Sequence, residues 1–215
     1  KMTKSKYWIA FSSIEEIDSS FIQRLYNYFG DIEEAFNTNK LSDIDGLSVK
    51  KAEKFLRLRD KIDVDKTFEE VVNRGIKFLT FDDDNYPQML RNIENPPSVL
   101  YYKGDLFSCN LNKTLAVVGS RKATSYAKEA LRQIIGEFQN TDICIVSGLA
   151  SGIDTTAHLA ALDNGLMTIG VIASGFDFIY PAANKDLYKR IENGCGAVVT
   201  EYYPTFEPLK FRFPQ

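Results

Sequence analysis

Histidine is almost missing from this sequence: His158 is the only one among 215 residues. A single imidazole cannot supply the paired ligands of a zinc centre. The three cysteines, Cys109, Cys144 and Cys195, stand at no metal-type spacing. Cys144 lies inside an apolar run and reads as a small core residue. Cysteine usage of this kind points to the cytoplasm. No apolar run approaches the ~20 residues that cross a bilayer, and residues 1–10 carry no signal-peptide segment. No membrane partner is therefore expected. Basicity is lacking too, since the net charge is -3. Residues 1–74 hold 13 Lys/Arg against 14 Asp/Glu, and residues 75–215 hold 13 against 15. A polyanion site must then be a local patch made by folding. Three signatures are absent as well: the dinucleotide Gly-x-Gly-x-x-Gly after a strand, the phosphate loop Gly-x-x-x-x-Gly-Lys-Ser/Thr, and the nucleophile elbow Gly-x-Ser-x-Gly.

What is present is a core-forming chain, 44% apolar, long enough for one domain plus a smaller one. Between Leu115 and Tyr202, three apolar runs each end in a small-residue turn. Leu115–Val118 leads into Gly119-Ser120-Arg121, Ile143–Val146 into the segment 147–154, and Thr168–Ala173 into Ser174-Gly175-Phe176-Asp177. Short apolar runs followed by helical patterns read as buried parallel strands in βαβ units. Such sheets bind ligands beyond the carboxyl ends of their strands. Thr124 or Ser125 caps a helix whose inner face carries Ala127, Ala130, Leu131, Ile134 and Ile135. Asp154–Leu162 and 183–191 are further helices, and 195–200 is a last strand.

Residues 7–72 read as helices, within a separate small domain of residues 1–74 before the α/β domain of residues 75–215. Ser19-Ser20 caps a helix that Gly30 stops, 32–36 is a short piece, and 64–73 is another helix. Between them, 41–56 resembles a helix-hairpin-helix unit with an Ile44-Asp45-Gly46-Leu47 turn, capped by Ser48 and followed by Lys50, Lys51 and Lys54. Such a turn either contacts nucleic-acid phosphates or packs a protein interface. The period changes at Gly75: Ile76–Phe81 and Val99–Gly104 read as strands. The triple aspartate 82–84 reads as a solvated turn, because consecutive positions do not face one metal.

Gly119, Ser120 and Arg121 place backbone N–H groups and a guanidinium at one strand end, a combination suited to phosphate. Gly148 and Gly152 offer a wider cradle, where missing side chains let a backbone approach a ligand. The surrounding stretch 113–132 holds Lys113, Arg121, Lys122, Lys128 and Arg132 against Glu129 alone. Catalytic groups are scarcer. His158, a turn into a helix, reads as a helix support, and Asp154, Asp177 and Glu201 are carboxylates near the strand ends. No catalytic residue, metal or cofactor is assigned, so the chain reads as a binder and not an enzyme.

Val118-Gly119-Ser120-Arg121, the segment 147–154 with His158, Gly175-Phe176-Asp177 with Tyr180-Pro181 and Asn184, Glu201-Tyr202 and Phe211-Arg212-Phe213-Pro214 together resemble the DprA/Smf family. These are the bacterial DNA-processing proteins of natural transformation. Asp84-x-Tyr86-Pro87 and Pro96-Pro97-x-x-Leu100 match as well, so the resemblance covers residues 76–215. Residues 1–74 resemble, more weakly, the helical SAM-like domain that many members carry. The resemblance implies an extended Rossmann-like parallel sheet and a cytoplasmic protein that binds single-stranded DNA. It further implies protection of incoming DNA, loading of the RecA recombinase and a homodimer when full length. Carried over by position, the DNA contacts fall on Gly119, Ser120, Arg121, Lys122, Ser147, Gly148, Gly152, Asn184, Lys185 and Lys210, with Phe211 and Phe213 as base-stacking rings. The family continues past Phe-Pro with a basic run and further strands. Ending at Gln215, this sequence reads as a fragment lacking the C-terminal part of the sheet. The alternative is a nucleotide sensor or nucleoside-monophosphate hydrolase of a related Rossmann-like family, with Asp154, Asp177 or Glu201 as acid or base.

Overall fold

The computed structural model describes residues 2–41 and 44–212. The elements, in chain order, are α1 (Met2–Ser12), α2 (Ser19–Phe29), α3 (Ile32–Asn37), α4 (Val49–Arg59), α5 (Val64–Asn73), β1 (Lys77–Thr80), α6 (Gln88–Arg91) and β2 (Val99–Gly104). The α/β part adds β3 (Thr114–Ala116), α7 (Ser125–Gly136), β4 (Cys144–Gly148), α8 (Ile153–Asp163), β5 (Thr168–Val171), α9 (Lys185–Arg190) and β6 (Gly196–Thr200). Packing divides the chain into two compact units, Lys1–Tyr101 with Glu201–Tyr203, and Tyr102–Thr200 with Pro204–Gln215.

In the first unit, aromatic rings make the core. Phe11 stacks on Phe55 at 5.1 Å between centroids and meets Phe36 edge-on at 4.9 Å, and Trp8 is fully buried. The α2 helix starts at Asp18, not at the serines, because the Asp18 carboxylate accepts the Phe21 N–H at 2.9 Å. Gly30 ends it in the left-handed conformation, donating its N–H to Tyr26 O. Ser48 precedes α4 without a side-chain cap bond. At the hairpin turn, the Arg24 guanidinium lies over Gly46 and donates to Asp45 O at 3.0 Å. Lys51 pairs with Asp18, and Lys54 stands 3.9 Å from Glu16. That turn is thus covered by the chain's own cation, and two of its three lysines already face carboxylates. The aspartate run is a turn, as expected: Asp83 accepts the Thr80 N–H at 2.8 Å. Among the described residues no cluster of metal-ligating side chains forms.

The strand order of the sheet is β1-β2-β6-β5-β4-β3, and β3, β4, β5 and β6 run parallel, with Ala116 opposite Val146 and Val146 opposite Ile169. In the second unit, α7 and α8 cover β4 through Ile135, Ile145, Ala157, Ala160, Ala161 and Leu166. Parallel βαβ units put helices on the sheet faces, which is why β4, β5 and β6 are mostly apolar and largely buried, with Ser147, Thr168 and Thr200 as buried polar residues. One strand departs from the expectation of burial. All three β3 residues are exposed, because β3 ends the strand order and pairs with β4 alone. No described helix is long and apolar enough to cross a membrane.

Candidate nucleic-acid interface

Three turns follow the carboxyl ends of the parallel strands, and their glycines decide what space is left there. After β3, Val117 donates to Val146 O at 2.8 Å, and the chain leaves the sheet through Val118 and Gly119. Ser120 Oγ accepts the Lys122 N–H at 3.0 Å, a hydroxyl turn that holds the loop open before Thr124 caps α7 by accepting the Ala127 N–H. Gly119, Ser120, Arg121 and Lys122 are all exposed.

After β4 the chain turns through Gly152, whose φ of +86° suits glycine. A Cβ there would stand 2.2 Å from Ser120 O and 2.6 Å from Arg121 O. A Cβ on Gly119 would stand 2.6 Å from Ile153 Cγ1, and one on Gly148 would stand 2.6 Å from Asp154 Oδ2. The missing side chains therefore admit neighbouring parts of the same chain. At the cradle expected at Gly148 and Gly152, the two turns interlock, with Ile153 N–H donating to Ser120 O at 3.1 Å. A carboxylate lies against Gly148 where a phosphate was expected.

Asp154 is a brace within this interlock. Burial pushes its carboxyl above the usual range, against the Ala150 N–H, the Ser147 hydroxyl and the positive charge of Arg121, which all pull it down. Ser147 is buried and donates to Val117 O at 2.7 Å. Asn184 is buried as well; its Nδ2 donates to Leu149 O at 2.7 Å and to Thr155 Oγ1 at 2.9 Å. That side chain pins the 180–184 segment to the β4–α8 turn, leaving it no outward hydrogen bond donor. Lys185, at the start of α9, is exposed.

His158 is fully buried. Its Nε2 lies 2.7 Å from Gly148 O, so that nitrogen carries the hydrogen, and its Nδ1 lies 2.7 Å from Thr168 Oγ1. Burial holds the imidazole neutral, with a pKa pushed down to about 4. It supports α8 against β4 and β5, as its position in the sequence suggested.

The third turn is tied to the segment after β6: Gly175 N–H donates to Phe206 O at 2.7 Å and Asp177 N–H to Pro204 O at 3.0 Å. This segment ends in a 3-10 turn, Lys210–Arg212, where Lys210 and Phe211 are exposed and Arg212 is buried. Phe213 lies outside the described residues. Of the residues singled out in the sequence, Gly119, Ser120, Arg121, Lys122, Lys185, Lys210 and Phe211 reach the surface. Ser147 and Asn184 are buried behind the turns, and Gly148 and Gly152 are half-buried within them. The structural roles of Asp154 and Arg212 escaped the sequence reading; the alternation at Lys210-Phe211-Arg212 was the one available hint for the latter.

The local basic stretch is thinner than its composition. Lys113 pairs with Asp142 at 3.0 Å, and Arg132 stands 3.6 Å from Glu129. What persists as an anion-directed feature is the amino-terminal end of α7, where unpaired N–H groups and the macrodipole favour negative charge, flanked by Arg121 and Lys122.

Comparison with known proteins agrees with this architecture. The Smf protein of Synechocystis is 32% identical over 217 residues, covering 99% of this chain and 54% of that protein. The DNA processing protein DprA of Streptococcus pneumoniae is 46% identical over 140 residues, 64% of this chain and 49% of its own. The chain thus spans about half the length of these curated relatives. The crystal structure of the S. pneumoniae protein superposes with a TM-score of 0.78 at 35% identity, over 97% of this chain and 70% of the other. DNA processing protein A of Helicobacter pylori, whose structure addresses its single-stranded DNA binding mode, superposes with a TM-score of 0.56 at 30% identity, over 64% of this chain and 60% of the other. The profile of the family described as DNA recombination-mediator protein A matches residues 77–215, and the chain belongs to that family.

Proposed function

We propose that this chain is the part of a recombination mediator that grips single-stranded DNA at the carboxyl ends of β3, β4 and β5, without chemical turnover. Residues 75–215 serve as the DNA-binding domain and residues 1–74 as a helical accessory domain. The observation that carries the reading is the surface made by Ser120, Arg121 and Lys122 at the start of α7, within a chain of the recombination-mediator family. Phosphates meet Arg121, Lys122, Lys185 and Lys210, and Phe211 offers its ring to a base. Two of the groups considered for turnover have structural roles: His158 is neutral and buried, and Asp154 lies against Gly148. In the whole protein, we propose a cytoplasmic homodimer that shields incoming strands and hands them to the RecA recombinase.

The test is a titration of fluorescent oligo(dT) and of a duplex of equal length, with nucleoside monophosphates as a second substrate class. Binding of oligo(dT) in preference to duplex, with no base or ribose phosphate released, is the expected outcome. Release of free base from a monophosphate would establish the hydrolase alternative in its place.

A further inference from the structure

In the last described turn one guanidinium lies over two aromatic rings. Arg212 is 9% exposed, and its guanidinium carbon lies 5.1 Å from the centroid of Phe206 and 5.6 Å from that of Phe211. The same guanidinium donates to Glu207 O, while the Arg212 N–H donates to Leu209 O at 3.0 Å. Phe206 is itself fastened to the third strand-end turn, its carbonyl accepting the Gly175 N–H at 2.7 Å. Phe211, by contrast, is 73% exposed.

A buried arginine thus lies over both rings, one of which is exposed. Only a planar, delocalised cation can lie against two aromatic faces while donating in its own plane. A lysine keeps the charge and loses both features. We infer that Arg212 is a positioning residue: it locks Phe211 as a rigid shelf on which one nucleobase stacks, and it makes no phosphate contact itself. This rests on the single-stranded-DNA reading. A ring that is already ordered loses little side-chain freedom on binding, so more of its stacking energy appears as affinity. The cost of ordering is met in the free protein by the Phe206–Arg212 contact. The shelf takes any base, since every base offers a π-face, and so confers affinity without sequence preference.

The experiment uses the full chain and an oligo(dT) carrying one 2-aminopurine, whose fluorescence falls when it stacks. Affinity is measured from 50 to 300 mM salt for the wild type, Phe211→Ala, Arg212→Lys, Phe206→Leu and the double variant Phe211→Ala/Arg212→Lys, with circular dichroism to confirm that each is folded. Phe211→Ala is expected to weaken binding roughly tenfold and Arg212→Lys by about three- to tenfold, both with loss of quenching and no change in salt slope. The double variant is expected to match Phe211→Ala alone, because a shelf support has nothing to hold once the shelf is gone. Phe206→Leu repeats the effect without touching any charge. Strong oligo(dT) binding that survives Phe211→Ala and Arg212→Lys overturns the shelf and leaves the DNA reading standing. A fall in salt slope on replacing Arg212 by glutamine makes it a phosphate ligand and overturns the positioning role. Absence of oligo(dT) binding by the wild type overturns both.

Discussion

The only histidine of the sequence gives a test that few proteins allow, because every imidazole signal must come from His158. In the folded chain its pKa is pushed down to about 4 by burial, against an ordinary value of 6.5. The unfolded chain therefore takes up a proton between those values that the folded chain refuses. The sign follows: the stabilising contribution is fully present above pH 6.5 and is lost as pH falls through about 4. At ~1.4 kcal/mol per pH unit, the full loss is ~3 kcal/mol. Asp154 works in the opposite direction, since its raised carboxyl contributes stability that is present at low pH and lost as pH rises. Subtracting a variant isolates the imidazole. His158→Gln keeps a donor for Gly148 O and cannot be protonated, so the difference between wild-type and variant urea-unfolding free energies should shrink by ~3 kcal/mol between pH 7 and pH 4. In parallel, the single imidazole proton resonance should show no titration between pH 7 and pH 5. Parallel stability curves, or an imidazole midpoint near 6.5, would refute the burial argument and return His158 to the list of candidate acid–base groups.

Three further outcomes follow from the turns and the core. Gly152→Ala places a Cβ within 2.2 Å of Ser120 O at a φ of +86°; the left-handed backbone and the overpacking together cost ~2–5 kcal/mol by thermal unfolding, and a loss below ~0.5 kcal/mol would show that the interlock yields freely. Asn184→Ala removes the bonds to Leu149 O and Thr155 Oγ1 and should cost ~1–3 kcal/mol, and Asn184→Asp more, because a carboxylate would then face the Leu149 carbonyl; equal stability of the two variants contradicts that pairing. Phe55→Ala opens the ring cluster with Phe11 and Phe36 and should cost ~3–5 kcal/mol by chemical denaturation, where a loss under 1 kcal/mol would mean the site collapses around the gap.

How far the sequence could be read depended on what each signal encodes. β4, β5 and β6 were legible because strands covered by helices on a parallel sheet are rich in apolar residues, and α5 because its apolar spacing is helical. The exposure of β3 was not legible, since Leu115 and Ala116 look like the start of any buried run; position in the strand order, a long-range property, decides it. The start of α2 shifted because Asp18 competes with Ser19 and Ser20 as a cap and a carboxylate is the stronger acceptor. The glycine turns were visible as turns, but a gap left by a missing Cβ reads the same whether a ligand or the chain itself fills it. Asp154 over Gly148 and Ile153 over Gly119 are tertiary contacts with no local sequence signature. For the same reason Ser147 and Asn184, polar residues in small-residue turns, pointed outward in the sequence and inward in the fold.

In the proposed function, Arg121 at the start of α7 neutralises a DNA phosphate. The direct measurement is the slope of log affinity against log salt for oligo(dT), compared between the wild type and Arg121→Ala. Weaker binding by the variant is expected, with a slope shallower by about 0.7, the share of one phosphate on a single strand. Equal affinity and equal slope for the two proteins would contradict it.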